Sequence, residues 1–225
     1  MITIALAILS HAIAILLSVP MAIALTGKPS IHRSAVSAYV AIFRAIPTLL
    51  QLLFIWNALP QFFPIFRDTW FTPFLAAWIA LSLNEAAYQV EINRAALQSV
   101  DPGQSAAGNA LGLKSYQVYW YIVLPQAFRI AVPPTVNEFI SLLKLTSLAS
   151  VISLTELMTV TQTAVARTFH FSEYYTVALL YYLVMVFALV AVQRRVEQRF
   201  AWADRSKAAG KALTESPMEA IDVRR

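Results

Sequence analysis

Four stretches of this chain, Met1–Gly27, Ala45–Phe66, Thr69–Asn84 and Tyr174–Gln193, contain no Asp, Glu, Lys or Arg. Each is about as long as one bilayer crossing, which takes roughly 17–25 predominantly apolar residues. Charged residues make up 13% of the 225, and apolar residues 59%, against about 45–50% apolar in a soluble domain. This pattern excludes a soluble globular enzyme, a disordered tail, a collagen-like fibre and a disulfide-stapled secreted scaffold. It predicts one all-α integral membrane domain.

Cysteine is absent, which removes disulfides, thiolate nucleophiles and Cys-ligated metal sites. The net charge of +5 does not point to nucleic acid, because 8 of the 17 Lys and Arg lie between Arg194 and Arg225, beyond the last apolar run. Met1–Thr26 lacks a basic leader and is longer than a signal-peptide core, so it reads as a retained helix. It begins with almost no leader, which leaves open a start upstream of Met1.

Walking the chain predicts five transmembrane helices, at about 2–26, 34–57, 73–92, 118–153 and 174–192. A Gly27-Lys28-Pro29-Ser30 breaker follows the first, and Leu59–Thr72, with Pro60, Pro64, Arg67 and Asp68, reads as an interfacial loop. Residues 1–203 form the membrane domain and 204–225 a polar cytoplasmic tail. With the C-terminus inside, thirteen basic residues (Lys28, Arg33, Arg94, Lys114, Arg129 and eight in the tail) fall on one side, against Arg67 and Arg167 on the other. That asymmetry predicts the N-terminus out and the C-terminus in.

Between the third and fourth spans, Asp101 can cap a helix, Pro102 suits its first position and Gly112 can stop it. The result is a short helix of about 102–111, too short to cross the membrane. Ala106 with Ala110, and Ala107 with Leu111, fall on shared stripes. Such small side chains suit close approach by another surface, or a plain connecting helix.

Ala106-Ala-Gly-Asn-Ala-Leu-Gly112, nine residues, then Ile122-Val-Leu-Pro125 resembles the EAA signature of ABC importer permeases: EAA, three residues, Gly, nine residues, I-x-L-P. Several further segments resemble the polar amino-acid (His/Glu/Gln/Arg/opine-type) branch of that family: Phe43-Arg-Ala-Ile-Pro47, Asn84–Arg94, Ser99–Gln104, Leu124–Ala127 and Asn137–Leu148. The resemblance covers about Thr3 to Phe200. It implies a type I ABC importer permease fold in a bacterial inner membrane, with the short helix coupling to an ATPase through Asp101, Pro102, Gly103, Ala106, Ala107, Gly108, Leu111 and Gly112. It also implies two cytoplasmic ATPase subunits, a second permease subunit, identical or distinct, and a periplasmic or lipid-anchored amino-acid-binding protein. No cofactor is expected in this chain; ATP and Mg belong to the ATPase, and no G-x-x-x-x-G-K-[ST] loop occurs here. Two positions depart from the signature, Ala106 for its Glu and Gly108 for its second Ala. Either the partner permease carries the charged contact or docking relies on shape.

Ionisable groups at bilayer depth are costly and mark candidate pathways. Glu85, Tyr88 and Gln89 share one helix face; Glu85 is a candidate substrate-ammonium contact or half of a pair with a neighbouring helix. Glu91 and Arg94 read as a local ion pair. Asn137, Ser141 and Lys144 form a narrow stripe, with Glu138, Thr146 and Ser147 nearby. Lys144 could meet a substrate carboxylate, pair with an acid such as Glu138 across a subunit interface, or snorkel to the surface. Pro133-Pro134 interrupts the helical hydrogen-bond ladder, as a gate or only a kink. Arg44 reads as a phosphate-snorkelling residue. His11, His32 and His170 are too scattered for a metal triad, and Trp120, Tyr121, Tyr181 and Tyr182 suit interfacial belts or packing. No catalytic residue is assigned. The rivals to an amino-acid importer are the same architecture carrying an opine, methionine or a compatible solute, and an ATPase-independent channel or membrane anchor.

Overall fold

The computed structural model describes residues 1–200, so the tail expected at 204–225 lies outside the described residues. Among the described residues every regular element is helical. The centre of the molecule is α4 (Pro73–Gln98), and its main partner is α1 (Ile2–Thr26). Thr72 starts α4 by accepting the Leu75 N–H at 3.3 Å, with Pro73 in the first turn. The buried face of α1 is mostly small residues, Thr3, Ala7, Ser10, Ala14, Ser18 and Ala22, with Leu6 and Leu25 beside them. It meets a buried surface on α4 rich in alanine: Ala76, Ala77, Ala80, Ala86 and Ala87. Lipid tails compete with apolar side chains, so helices in a bilayer associate by close backbone approach over small residues.

The second span expected at 34–57 is not a continuous helix. α2 (Ile31–Ala45) and α3 (Thr48–Phe62) meet at a bend of 103°. Pro47 is the cause: its missing N–H deprives the Phe43 carbonyl of its helical partner. The Gln51 side chain replaces that partner, donating to the Phe43 and Ile46 carbonyls at 2.8 Å each. Asn84 of α4 donates to the Phe43 backbone carbonyl and to the side-chain Oε1 of Gln51, both at 3.3 Å. The loop read at Leu59–Thr72 carries the last turn of α3 and a 3₁₀ turn at Pro64–Arg67, where Arg67 donates to the Pro60 carbonyl at 2.8 Å.

The short helix α5 (Pro102–Ala110) leads to α6 (Ser115–Ile152), 38 residues long. Pro133 and Pro134 do not break α6; the helix runs through both, so they leave carbonyls without helical donors but open no gap. Its last turns, Thr146–Ile152, tighten to 3₁₀ and stop at Ser153, which takes φ 62°. Then α7 (Leu157–Thr168), capped by Glu156, and α8 (Phe171–Phe200) complete the described chain. Only Ala178 of α8 is buried.

Three helices, α1, α6 and α8, are long and apolar enough to cross a membrane, and a fourth crossing is available if the bent α2–α3 pair counts as one. The α4 helix is long enough but carries Asn84, Glu85, Gln89, Glu91, Asn93 and Arg94 from its middle onward. Of these, Asn84, Glu85 and Gln89 are buried against the helices packed on α4, chiefly α1, α6 and α2.

Candidate functional site

The α5 helix is defined at both ends by local chemistry. Asp101 accepts the Gly103 N–H at 2.7 Å, and Pro102 occupies the first turn. At the other end Gly112 takes φ +80°, the left-handed region that only glycine enters freely. Its N–H reaches the Asn109 carbonyl at 3.0 Å, while the Leu113 N–H reaches the Gly108 carbonyl at 3.2 Å. This pair of bonds is a Schellman stop.

Gly108 is the inward-facing residue of α5. A Cβ there would lie 2.8 Å from Ile122 Cδ1 and 3.0 Å from Val118 Cγ2, so the absent side chain lets α5 seat directly on the start of α6. Ala106, Ala107 and Ala110 face outward, and Leu111 is 82% exposed. The outer surface is charge-free from Pro102 to Leu113, between Asp101 and Lys114.

The membrane-depth candidates divide into separate groups. Glu85, 1% exposed, pairs with His11 of α1, whose Nδ1 lies 2.9 Å from Glu85 Oε1. The His11 ring packs 5.1 Å from that of Phe139. Glu138 stands within electrostatic reach of Glu85, His11 and Arg44. Arg44, read as snorkelling, holds its guanidinium over the Tyr88 ring, 5.3 Å from the centroid. Glu85, Tyr88 and Glu138 thus share one region with His11 and Arg44, on four helices. Gln89 points elsewhere, donating to Thr135 Oγ1 at 2.6 Å, and Asn93 beside it donates to Ser18 Oγ at 2.9 Å. Glu91 and Arg94 form a local pair at 2.6 Å.

Asn137 and Lys144 are exposed and Ser141 half-buried, so this stripe lies on the free side of α6. Thr146 is buried and donates to the Leu143 carbonyl at 2.7 Å, and Ser147 donates to the Lys144 carbonyl at 2.8 Å. Their hydroxyls neighbour Tyr182 of α8, which also faces Glu156. Burial pushes the Glu156 carboxyl above its ordinary range, while N–H bonds from Met158 and Thr159 at the start of α7 pull it part of the way back.

Sequence reasoning missed His11, Thr135, Asn93, Ser18 and Glu156 as members of these groups. The one available signal was that His11 is the sole ionisable side chain in the Met1–Gly27 run. Among the described residues there is no group of three or more His, Asp or Glu placed to hold a metal ion.

Comparison with known proteins fits this arrangement. The chain is 40% identical over 198 residues to the L-cystine transport system permease protein TcyB of Bacillus subtilis (strain 168), covering 88% of this chain and 82% of that protein. It is 42% identical over 159 residues to the probable amino-acid permease protein YxeN of the same organism, covering 70% of each. With the glutamine transport system permease protein GlnP of Escherichia coli (strain K12) it shares 35% over 161 residues, 72% of each. A crystal structure of an amino acid ABC transporter with histidines superposes with a TM-score of 0.81 at 31% identity, covering 88% of this chain and 90% of that one. The MetNI methionine ABC transporter, at 19% identity and a TM-score of 0.74, shares the fold. The pattern of the binding-protein-dependent transport system inner membrane component extends over residues 14–202, and the chain belongs to that family.

Proposed function

We propose that this chain is the transmembrane subunit of an ATP-driven importer of amino acids, forming half of the translocation path. The observation that carries the reading is α5: a capped, Schellman-stopped helix with a charge-free outer face, seated by Gly108 on the start of α6. It supports docking of an ATPase subunit through Ala106, Ala107, Leu111 and their neighbours. Amino acid as cargo is supported by the likeness to permeases of cystine and glutamine transport.

In this reading the chain crosses a bacterial inner membrane five times, N-terminus out and C-terminus in. The crossings are α1, the bent α2–α3 pair, α4, α6 and α8. Two ATPase subunits, a second permease subunit and an external amino-acid-binding protein complete the assembly. ATP and Mg bind to the ATPase and no cofactor binds here. The region of Glu85, Tyr88, Glu138 and Arg44 offers both charges an amino acid needs, a cation for its carboxylate and an acid for its ammonium. The free stripe Asn137, Ser141 and Lys144 extends toward the second permease. Mechanically, ATPase closure displaces α5 and rocks the helices attached to it, opening the path to alternate sides.

The chain lacks cysteine, so an Ala107→Cys variant carries a single thiol. The test is the complex with its ATPase: the reading expects a crosslink from position 107 to the ATPase and hydrolysis stimulated by one amino-acid class through the binding protein. A complex that forms without a 107 crosslink contradicts the docking surface. Stimulation by an opine, methionine or a compatible solute instead would reassign the cargo.

A further inference from the structure

The described chain contains two π-helical turns, Phe54–Ala58 in α3 and Tyr119–Val123 in α6. Both are followed by the same three residues, Leu59-Pro60-Gln61 and Leu124-Pro125-Gln126. In each the leucine N–H reaches five residues back, from Leu59 to the Phe54 carbonyl and from Leu124 to the Tyr119 carbonyl. The proline has no N–H to give and its ring crowds the carbonyl four back, which favours widening the turn. The glutamine side chain then donates to the carbonyl four residues back, Gln61 to Asn57 at 3.2 Å and Gln126 to Ile122 at 2.9 Å. One local grammar builds both turns.

They differ in what rests on them. The second carries α5, since Gly108 seats against Ile122 of the turn and Val118 just before it. On the turn's other side Trp120 and Tyr121 are 60% and 73% exposed, so no other part of the described chain braces them. Bulges of this kind recur at functional positions in helices, and shifting one residue through such a turn moves the flanking helix by about 1.5 Å along its axis.

From this geometry we infer that the π turn Tyr119–Val123, held by Pro125 and Gln126, is the joint through which displacement of α5 reaches α6. Pro125, Gln126 and Ile122 are positioning residues: they touch neither ATP nor cargo, and act by letting the start of α6 change register while α5 stays seated. The inference rests on the proposed docking of the ATPase at α5.

The test compares Pro125→Ala, which gives the turn its missing donor and favours an ordinary α register, with Pro60→Ala at the twin turn. Both are made in the assembled transporter in proteoliposomes, with position 107 as the crosslinking reporter. A nitroxide pair at Asn109 and Val151, both exposed, reports the α5-to-α6 distance with and without a non-hydrolysable ATP analogue. Pro125→Ala should keep the crosslink and basal hydrolysis, lose the nucleotide-dependent distance change, and reduce stimulation by the loaded binding protein about tenfold, within the usual range of coupling energies. Pro60→Ala should keep all four. Wild-type stimulation and distance change in Pro125→Ala, with the crosslink intact, overturns the joint. Equal loss in Pro60→Ala also overturns it, since the effect would then belong to helix stability. Absence of the crosslink in the otherwise unaltered chain fails the docking reading itself.

Discussion

At the scale of single residues, the buried His11–Glu85 pair concentrates the most risk. A carboxylate 1% exposed is held by one imidazole contact 74 positions away in sequence. Breaking such a pair from one side is expected to cost about 3 kcal/mol or more, whereas replacing both partners by apolar residues is often close to neutral. His11→Leu should therefore lower the thermal midpoint in detergent sharply, and His11→Leu with Glu85→Leu should recover much of it; strict additivity in this cycle would contradict the pairing. Gln51→Leu is a second case: it strands the Ile46 carbonyl and leaves the Phe43 carbonyl with Asn84 alone, at a predicted cost of about 1–3 kcal/mol, read by the same unfolding measurement. Glu85 was legible as a costly membrane-depth acid, and pairing with a neighbouring helix was one of its two readings. Its partner was not legible, because no spacing rule links α1 to α4.

At the scale of elements, legibility follows locality. The α5 helix could be read from Asp101, Pro102 and Gly112 because caps and stops act within a few residues. The elbow between α2 and α3 could not, although Pro47 was in view: what fixes the 103° bend is the clasp of Gln51 and Asn84, and Asn84 comes from another helix. At Pro133-Pro134 two readings stood, a gate or only a kink, and α6 runs on through both prolines. The stop at Gly112 makes a direct prediction. Gly112→Val forces a β-branched residue to φ +80°, a strain of about 1–3 kcal/mol. No heavy atom lies within 4 Å of the added Cβ, so the expected damage is to the end of α5 and not to the core. Membrane insertion and yield should be preserved while transport and its coupling to ATP hydrolysis fall several-fold. Undiminished coupling would remove α5 from the mechanism.

At the scale of the whole molecule, mean hydropathy alone picks out α1, α6 and α8 and passes over the central α4, which the charge-free run Thr69–Asn84 and the span expected at 73–92 did locate. The α4 helix falls out of the set of apolar spans because it is wrapped by α1, α2 and α6 and can afford polar residues. The all-helical membrane fold was legible because charge-free runs depend on the bilayer alone, and family membership because the motif spacing survives two substitutions at Ala106 and Gly108. Which polar residues converge was not, since convergence depends on helix rotation. The proposed orientation predicts that a thiol introduced at Gln98, near the end of α4, is labelled by an impermeant reagent only in inside-out vesicles, and one at Phe62 only in right-side-out vesicles; the reverse would invert the topology. The most direct test of the account is uptake of labelled cystine, glutamine and arginine by proteoliposomes holding this chain with its ATPase, partner permease and binding protein. The account predicts accumulation of one of these ligand classes above the external concentration, dependent on both ATP and the binding protein. Flux that runs only down the gradient and ignores ATP would contradict it, and would describe a channel.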